Sequence, residues 1–355
     1  IWLGLVGSEM CIRDRYRGYD SAGLVVVGPN GLERRRAVGK VAELEAKCAA
    51  EPANGGVGIA HTRWATHGGV TEANAHPHVS VGRIAVVHNG IIENHDPLRA
   101  SLRASGYAIE SDTDTEVIAH LVHREIQADG DLVAAVKRSV KQLKGAYGIA
   151  VIDMEKPEQM VVARMGSPLV VGVGVNEYFA ASDIAALLPV TQRFIFLEEG
   201  DVACLQADEL QLWDRQGVNV EREIHETALK AEASEKGSYR HYMLKEIFEQ
   251  PKALADTLQG RVANGAILPD ILGPKAKDLL PKVRNIHIIA CGTSYHAGLV
   301  GKYWIEALAG LPVQVEIASE YRYRKIVVPE NALLVTLSQS GETADTLEAL
   351  RLTKA

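Results

Sequence analysis

Short apolar runs, broken by glycine or charged positions, fill the first two-thirds of the chain. Residues 24–27, 58–61, 83–88, 148–153, 160–163, 169–173 and 193–197 have the length and β-branched content of strands. Apolar positions recur with helical spacing over 94–104, 114–127 and 132–143. Adjoining strands with helices grouped elsewhere predict an α+β sandwich, two stacked sheets flanked by helices. Past residue 239 the order changes. A strand-like run at 286–290 leads into a helical pattern at 295–308, and 313–317 reads as a strand. Another strand-like run at 333–337 leads into a helix at 344–354. Strands alternating with helices predict an α/β parallel sheet. Between the two patterns, residues 226–238 turn small and polar. The expected division is a first domain over 16–228, a linker over 229–238 and a second domain over 239–355. That second domain stops inside a helix with three sheet strands laid down.

Two strand ends of the second domain carry the most pointed chemistry. Ser338-Gln339-Ser340-Gly341-Glu342-Thr343 follows one strand, and Cys291-Gly292-Thr293-Ser294 follows another. Ligands of a parallel sheet bind at the carboxyl ends of its strands. The first amides of the following helix are unpaired, and the helix dipole favours an anion there. Ser338, Ser340 and Thr343 add hydroxyls and Gln339 an amide, all uncharged. This inventory suits the phosphate monoester of a small molecule. The lysine of a P-loop is missing, so a nucleoside triphosphate is not expected. Either loop alone reads equally as an ordinary Ser/Thr helix cap; two at successive strand ends converge on one crevice.

The first domain offers a different chemistry. Arg63 lies in the polar segment 61–68 after an apolar lead, and arginine clamps a carboxylate with two parallel hydrogen bonds. His88-Asn89-Gly90 ends the run 84–87, presenting an amide side chain and a glycine N–H as an oxyanion hole. Asp112-Thr113-Asp114-Thr115-Glu116 opens a helix, where a capped N-terminus is the plain alternative. Four histidines (His61, His67, His76, His78) have no helical H-x-x-x-H spacing and no suitable Cys or Glu beside them. They are read as loop histidines making hydrogen bonds, and no metal is expected.

Composition narrows the field. A chain of 355 residues holds two or more domains, and 47% hydrophobic with 23% charged residues is ordinary for a soluble globular protein. A formal charge of −7 argues against a nucleic-acid partner, and Arg34-Arg35-Arg36 reads as a solvated strand edge. Four scattered cysteines (Cys11, Cys48, Cys204, Cys291) suggest reduced thiols and a cytoplasmic setting. No apolar run approaches the ~20 residues of a membrane span, and the opening lacks a signal peptide's basic region and cleavage site.

Residues 240–246, Cys291 to Tyr295, Glu320 to Lys325 and Ser338 to Thr346 together resemble the sugar isomerase (SIS) domain of the glutamine–fructose-6-phosphate aminotransferases. Residues 16–22, 60–68, 74–78, 88–94 and 112–116 resemble the glutaminase domain of the same family. The resemblance implies the N-terminal-nucleophile hydrolase sandwich and amino-sugar synthesis from glutamine and fructose 6-phosphate. It implies a homodimer of the whole protein, with no metal or organic cofactor required. Arg63 would bind the α-carboxylate of glutamine and Asp114 its ammonium, while Asn89 and Gly90 would form the oxyanion hole. Trp64, Thr66 and His67 would belong to a loop closing over glutamine, with Trp64 gating ammonia, and His76 would join the glutamine site. Thr293, Ser294, Ser338, Gln339, Ser340 and Thr343 would hold the sugar phosphate.

The same resemblance implies an amino-terminal cysteine nucleophile whose α-amine, with a reference pKa near ~7.7–8.0, acts as general base. The Tyr-Arg-Gly-Tyr-Asp-Ser motif stands at 16–21, with only fifteen residues before it. Leu3-Gly4-Leu5-Val6-Gly7 has leucine where that cysteine belongs, and Cys11 leaves no room for a strand and a helix. Residues 1–15 resemble translated adapter sequence and are expected to be foreign, so the chain as written is expected to lack glutaminase activity. Family members also continue past residue 355 to the acid–base groups of isomerisation. Two alternatives remain. One is another glutamine amidotransferase of this type, such as a phosphoribosyl-pyrophosphate amidotransferase; the other is a non-catalytic sugar-phosphate-binding protein.

Overall fold

The computed structural model describes residues 20–63, 68–227, 239, 241–258, 261–263, 266–267, 276–338 and 344–354. Segment 1–15 and the expected linker therefore lie outside the described residues. The chain divides into two compact units, 1–245 and 246–355.

The first unit opens with β1 (Ser21–Gly28), β2 (Gly31–Val38), α1 (Val41–Ala50) and β3 (Val57–Arg63). β4 (His78–Ser80) and β5 (Ile84–Ile92) follow, then α2 (His95–Ala104), α3 (Thr115–Ile126) and α4 (Leu132–Val140). The remaining strands are β6 (Gly145–Asp153), β7 (Met160–Met165), β8 (Val170–Val173), β9 (Tyr178–Ala181), β10 (Arg193–Phe196), β11 (Val202–Leu205), β12 (Leu210–Trp213) and β13 (His225–Glu226). They form three antiparallel sheets, ordered β2-β1-β3, β13-β10-β8-β9 and β12-β11-β7-β6-β5-β4.

Side-chain alternation explains the layers. Val25, Val27, Val57 and Ile59 pack with Val87, Ile152, Val162 and Leu205 of the six-stranded sheet and with Val171 and Ile195 of the four-stranded one. The two smaller sheets thus face one side of the larger. Ile84, Val86, Ile149, Val151 and Val161 turn to its other side, against Ile118, Leu121 and Val122 of α3 and Leu132 and Val136 of α4. On the outer face of β1, Ala22, Leu24 and Val26 meet Val41 and Leu44 of α1. Strands covered on both faces need apolar residues at every position, which is why they read as unbroken β-branched runs. The expected sandwich is borne out, one layer being split into two sheets. Two bidentate pairs, Arg83 with Asp153 and Arg222 with Asp201, satisfy carboxylates that are almost wholly buried.

One expectation changes. β2 is an edge strand, yet its arginines are not left to solvent. Arg36 Nη1 donates to the carbonyls of Ala73 and Ala75 at 3.0 Å, and Arg35 Nε to that of Glu51 at 2.9 Å. The run ties loops down because their carbonyls have no strand partner.

The second unit includes α5 (Tyr242–Leu258, which crosses the division), the hairpin β14 (Val262–Ala263) and β15 (Ala266–Ile267), and α6 (Ala276–Leu279). β16 (Asn285–Ala290), α7 (Gly292–Ala309), β17 (Val313–Ile317), α8 (Ala318–Tyr323), β18 (Ala332–Leu337) and α9 (Ala344–Lys354) complete it. β16 is central and parallel to both neighbours, with Ala290 opposite Ile317 and Leu337. Ile286, Ile288 and Val313 pack with Ile305 of α7 on one face, while Ile289 meets Ala318, Tyr321 and Ala349 on the other. The expected parallel sheet is present, with α7 beginning three residues before the expected helix.

Candidate functional site

Two strands from opposite layers bring the first site together. On β3 the inward row Val57, Ile59 continues to His61 and Arg63; on β5 the inward row Ala85, Val87 continues to Asn89. Where the apolar rows end, His61 Nε2 and Asn89 Oδ1 meet at 2.7 Å. The expectation that Asn89 and Gly90 end a strand is corrected, since β5 runs on to Ile92. Asn89 faces Gly148 and Gly90 faces Tyr147 across the β5–β6 pair. Residues 89–91 are exposed, so a solvent-facing stretch inside a strand had read as its terminus. Gly90 has φ +134°, and a Cβ there would lie 2.0 Å from the Ala146 carbonyl oxygen. Only glycine fits.

Arg63 is buried at the end of β3. Its Nη1 lies 3.6 Å from Asp20 Oδ1 and donates to the Gly69 carbonyl at 3.2 Å, and Nη2 donates to that of Gly68 at 3.2 Å. Asn74 links this loop to the next one. It donates to the Gly69 carbonyl at 3.0 Å and accepts from the Asp112 amide at 3.0 Å. Arg99 Nη2 donates to the Thr113 carbonyl at 2.8 Å, holding the same loop from α2.

Asp114 stands where a cap was the plain alternative, but its side chain does not cap α3. Thr113 Oγ1 accepts from the Glu116 amide at 3.4 Å, and Glu116 reaches back to the amides of Glu110 (2.8 Å) and Ser111 (2.7 Å). With the helix end served by these two, Asp114 Oδ2 turns to the Ile92 amide at 2.8 Å and lies 3.9 Å from His88 Nδ1.

The histidines form a connected array. His61 stacks on His76 with centroids 4.2 Å apart, and His76 meets the edge of His78 at 5.0 Å. His78 Nε2 contacts Thr113 Oγ1 at 3.0 Å, Ser111 Oγ lies 2.9 Å from that hydroxyl, and Ser111 donates to Glu116 at 2.7 Å. Burial pushes His61 down to about 4, the bond to Asn89 only partly offsetting it, and pushes His76 well below the usual value. Burial also lowers His78, to about 3. Glu116 is pushed up by burial but pulled further down, to about 2, by hydrogen bonds from His120, Glu110 and Ser111. These rings are neutral near pH 7. Among the described residues no group of three His, Cys, Asp or Glu is placed to hold a metal.

In the second unit, Thr293 and Ser294 occupy the first turn of α7. Cys291, the residue before it, makes no side-chain cap, and Gly292 has φ +56°. Because β16 and β18 are parallel and in register, Cys291 and Ser338 leave the sheet at the same end. Trp64, Thr66, His67, Gln339, Ser340 and Thr343 lie outside the described residues. Sequence reasoning missed Asp20, Asn74 and Arg99, whose partners are far away in the chain. For His61 a signal existed: strand alternation puts it on the same face as Arg63.

A glutamine amidotransferase domain model matches residues 61–189 and a SIS domain model residues 279–355. Glutamine–fructose-6-phosphate aminotransferase [isomerizing] of Idiomarina loihiensis is 58% identical over 343 residues, 96% of this chain and 56% of that protein. The protein of the same name from Pseudomonas aeruginosa gives the same identity and coverage, and that from Yersinia pestis is 59% identical. The glutamine phosphoribosylpyrophosphate amidotransferase of B. subtilis, solved with ADP and GMP, aligns with a TM-score of 0.54 over 100% of this chain and 69% of that one. At 19% identity it shares the fold alone. Sandwich and parallel sheet define a glutamine amidotransferase domain of the N-terminal-nucleophile fold followed by a SIS domain. Over 96% of its length the chain is homologous to the glutamine–fructose-6-phosphate aminotransferases. It spans 56% of the length of the curated relatives it matches.

Proposed function

We propose that the chain is part of an enzyme converting glutamine and fructose 6-phosphate to glutamate and glucosamine 6-phosphate. The observation that carries this reading is the pairing, in one chain, of Arg63, Asn89 and Asp114 with two anion-suited strand ends on a parallel sheet. Glutamine is a zwitterion with a neutral amide, so it needs a cation, an anion and oxyanion donors. Arg63 supplies the first, Asp114 the second, and Asn89 Nδ2 with the Gly90 N–H the third. Attack of a cysteine thiolate on the amide carbon puts negative charge on the carbonyl oxygen. Collapse releases ammonia, and water then cleaves the thioester to glutamate. Ammonia passes to the second site, where Thr293, Ser294 and Ser338, with Gln339, Ser340 and Thr343, hold the sugar phosphate. Trp64, Thr66, His67 and His76 complete the glutamine side. No cofactor enters the scheme, and the whole protein acts as a cytoplasmic homodimer. Among the described residues no helix is long and apolar enough to cross a membrane.

The test uses the full-length protein beginning with cysteine, given fructose 6-phosphate and glutamine labelled with ¹⁵N in its side-chain amide. Labelled glucosamine 6-phosphate is expected. Glutamate release with no label in the sugar would move the chain to another amidotransferase reaction.

A further inference from the structure

His61 is not among the groups that would touch glutamine, yet its ring contacts the side chain assigned to the oxyanion. The two ends of an asparagine amide have nearly the same shape and opposite chemistry. If Asn89 is to donate to an oxyanion, Nδ2 must face the substrate and Oδ1 must face away. Turned over, the amide would aim oxygen lone pairs at the developing negative charge.

The 2.7 Å contact between His61 Nε2 and Asn89 Oδ1 sets this orientation. An amide oxygen only accepts, so the proton of the contact is on Nε2. With the amide turned over, Nε2 would have to accept from Nδ2–H and the ring proton would move to Nδ1, which is buried with no hydrogen-bond partner. The ring is itself fixed. It stacks on His76, which His78 meets edge-on, and His78 is held by Thr113, the residue before Asp114. Burial keeps His61 neutral, with the bond to Asn89 and the His88 backbone only partly opposing it, so the ring carries one N–H.

We propose that His61 is a positioning residue for the Asn89 amide, donating Nε2–H to Oδ1 so that Nδ2 faces the reacting carbonyl oxygen. The proposal rests on the oxyanion-hole reading of Asn89. It also gives the His61–His76–His78 array a purpose in the reaction, since the array holds the donor ring in place.

The experiment is a double-mutant cycle on the full-length, cysteine-initiated protein, read by glutamine hydrolysis. His61→Leu removes the donor and should lower kcat roughly tenfold or more, up to the ~10²–10³ of a lost oxyanion donor, with KM little changed. His61→Gln restores an N–H donor and should recover most of the loss. In an Asn89→Ala background, His61→Leu should cost nothing further. Full additivity there, or a folded His61→Gln as impaired as His61→Leu, would overturn the role of His61 while leaving the oxyanion hole standing. An Asn89→Ala variant with undiminished kcat would instead overturn the oxyanion-hole reading and this proposal with it. Imidazole ¹⁵N shifts of the unmutated protein give a check independent of activity. Protonated Nε2 is expected, and a bare Nε2 would overturn the proposal.

Discussion

The two units build polar sites by opposite means. In the first, every charged or amide group assigned to glutamine is gripped by another side chain or loop. Asn89 has His61, Arg63 has Asp20 and the carbonyls of Gly68 and Gly69, and Asp114 has the Ile92 amide. In the second, Thr293 and Ser294 ride on the first turn of a helix, where a backbone terminus would hold the proposed anion. The difference teaches where substitutions propagate. A side-chain network fails through its neighbours, whereas a helix terminus loses one hydrogen bond at a time.

Glycine gives the largest contrast. At Gly90 a methyl group would stand 2.0 Å from a backbone oxygen, and φ is +134°. In the cysteine-initiated protein Gly90→Ala should cost upwards of about 3 kcal/mol and abolish glutaminase activity. At Gly292, φ is +56° and no atom lies within 4 Å of the added Cβ. Gly292→Ala should cost only the ~1–2 kcal/mol of a left-handed residue. Thermal unfolding of both variants measures the gap, and equal losses would break the comparison. Next comes Arg63→Lys in the cysteine-initiated protein, which exchanges a planar fork for a point charge. Charge-assisted bonds contribute about 1.5–3 kcal/mol, so the glutamine KM should rise by roughly 10–100-fold. An unchanged KM would remove Arg63 from the glutamine site.

How much of this was legible depended on what each residue answers to. Val25, Val87 and Ile152 lie in strands buried on both faces, so their runs were plain in the sequence. Val202–Leu205 and Tyr178–Ala181 hold fewer β-branched residues than the equally short Val170–Val173, and α1 buries only Val41 and Leu44, too little pattern to register. Arg63, Asn89 and Asp114 stood out by motif. The bonds that orient them, His61 to Asn89 and Asn74 to Asp112, join positions 28 and 38 residues apart, and no local spacing encodes such a pair. The helix cap of α3 misled for a related reason. Asp114 looks like a capping residue, and only the fold reveals that Thr113 and Glu116 have taken that task.

The histidine–hydroxyl–carboxylate chain of the first unit also predicts a pH signature. His61 and His78 titrate near 4 and 3 in the folded protein, below the unfolded value of ~6.5. Between those values the unfolded chain binds more protons, so stability rises with pH. The contribution is full above about pH 6.5 and is lost as pH falls toward 4, at up to ~1.4 kcal/mol per pH unit for each histidine. Glu116, lowered to about 2, adds a loss of the same sign below its ordinary range. Denaturant unfolding followed through Trp213 of β12 between pH 7 and 4.5 should show the decline. His78→Gln should flatten it, and an unaltered slope in that variant would exclude the array as its cause.

The smallest expected effect belongs to the helix terminus. Thr293 is exposed and Ser294 half-buried at the start of α7, with Ser338 leaving the sheet at the same end. An anion seated there takes backbone amides first and hydroxyls second. Thr293→Ala removes one neutral donor, and such bonds contribute about 0.5–1.5 kcal/mol, so affinity for fructose 6-phosphate should fall only ~2–10-fold. Inorganic phosphate should compete with the sugar phosphate, because both offer the same oxygens to the same amides. Unphosphorylated fructose should not compete, since nothing on it answers the helix dipole. Titration by calorimetry separates the cases. If fructose bound as well as its phosphate, recognition would lie with the sugar hydroxyls, and the contrast between a side-chain site and a backbone site would collapse.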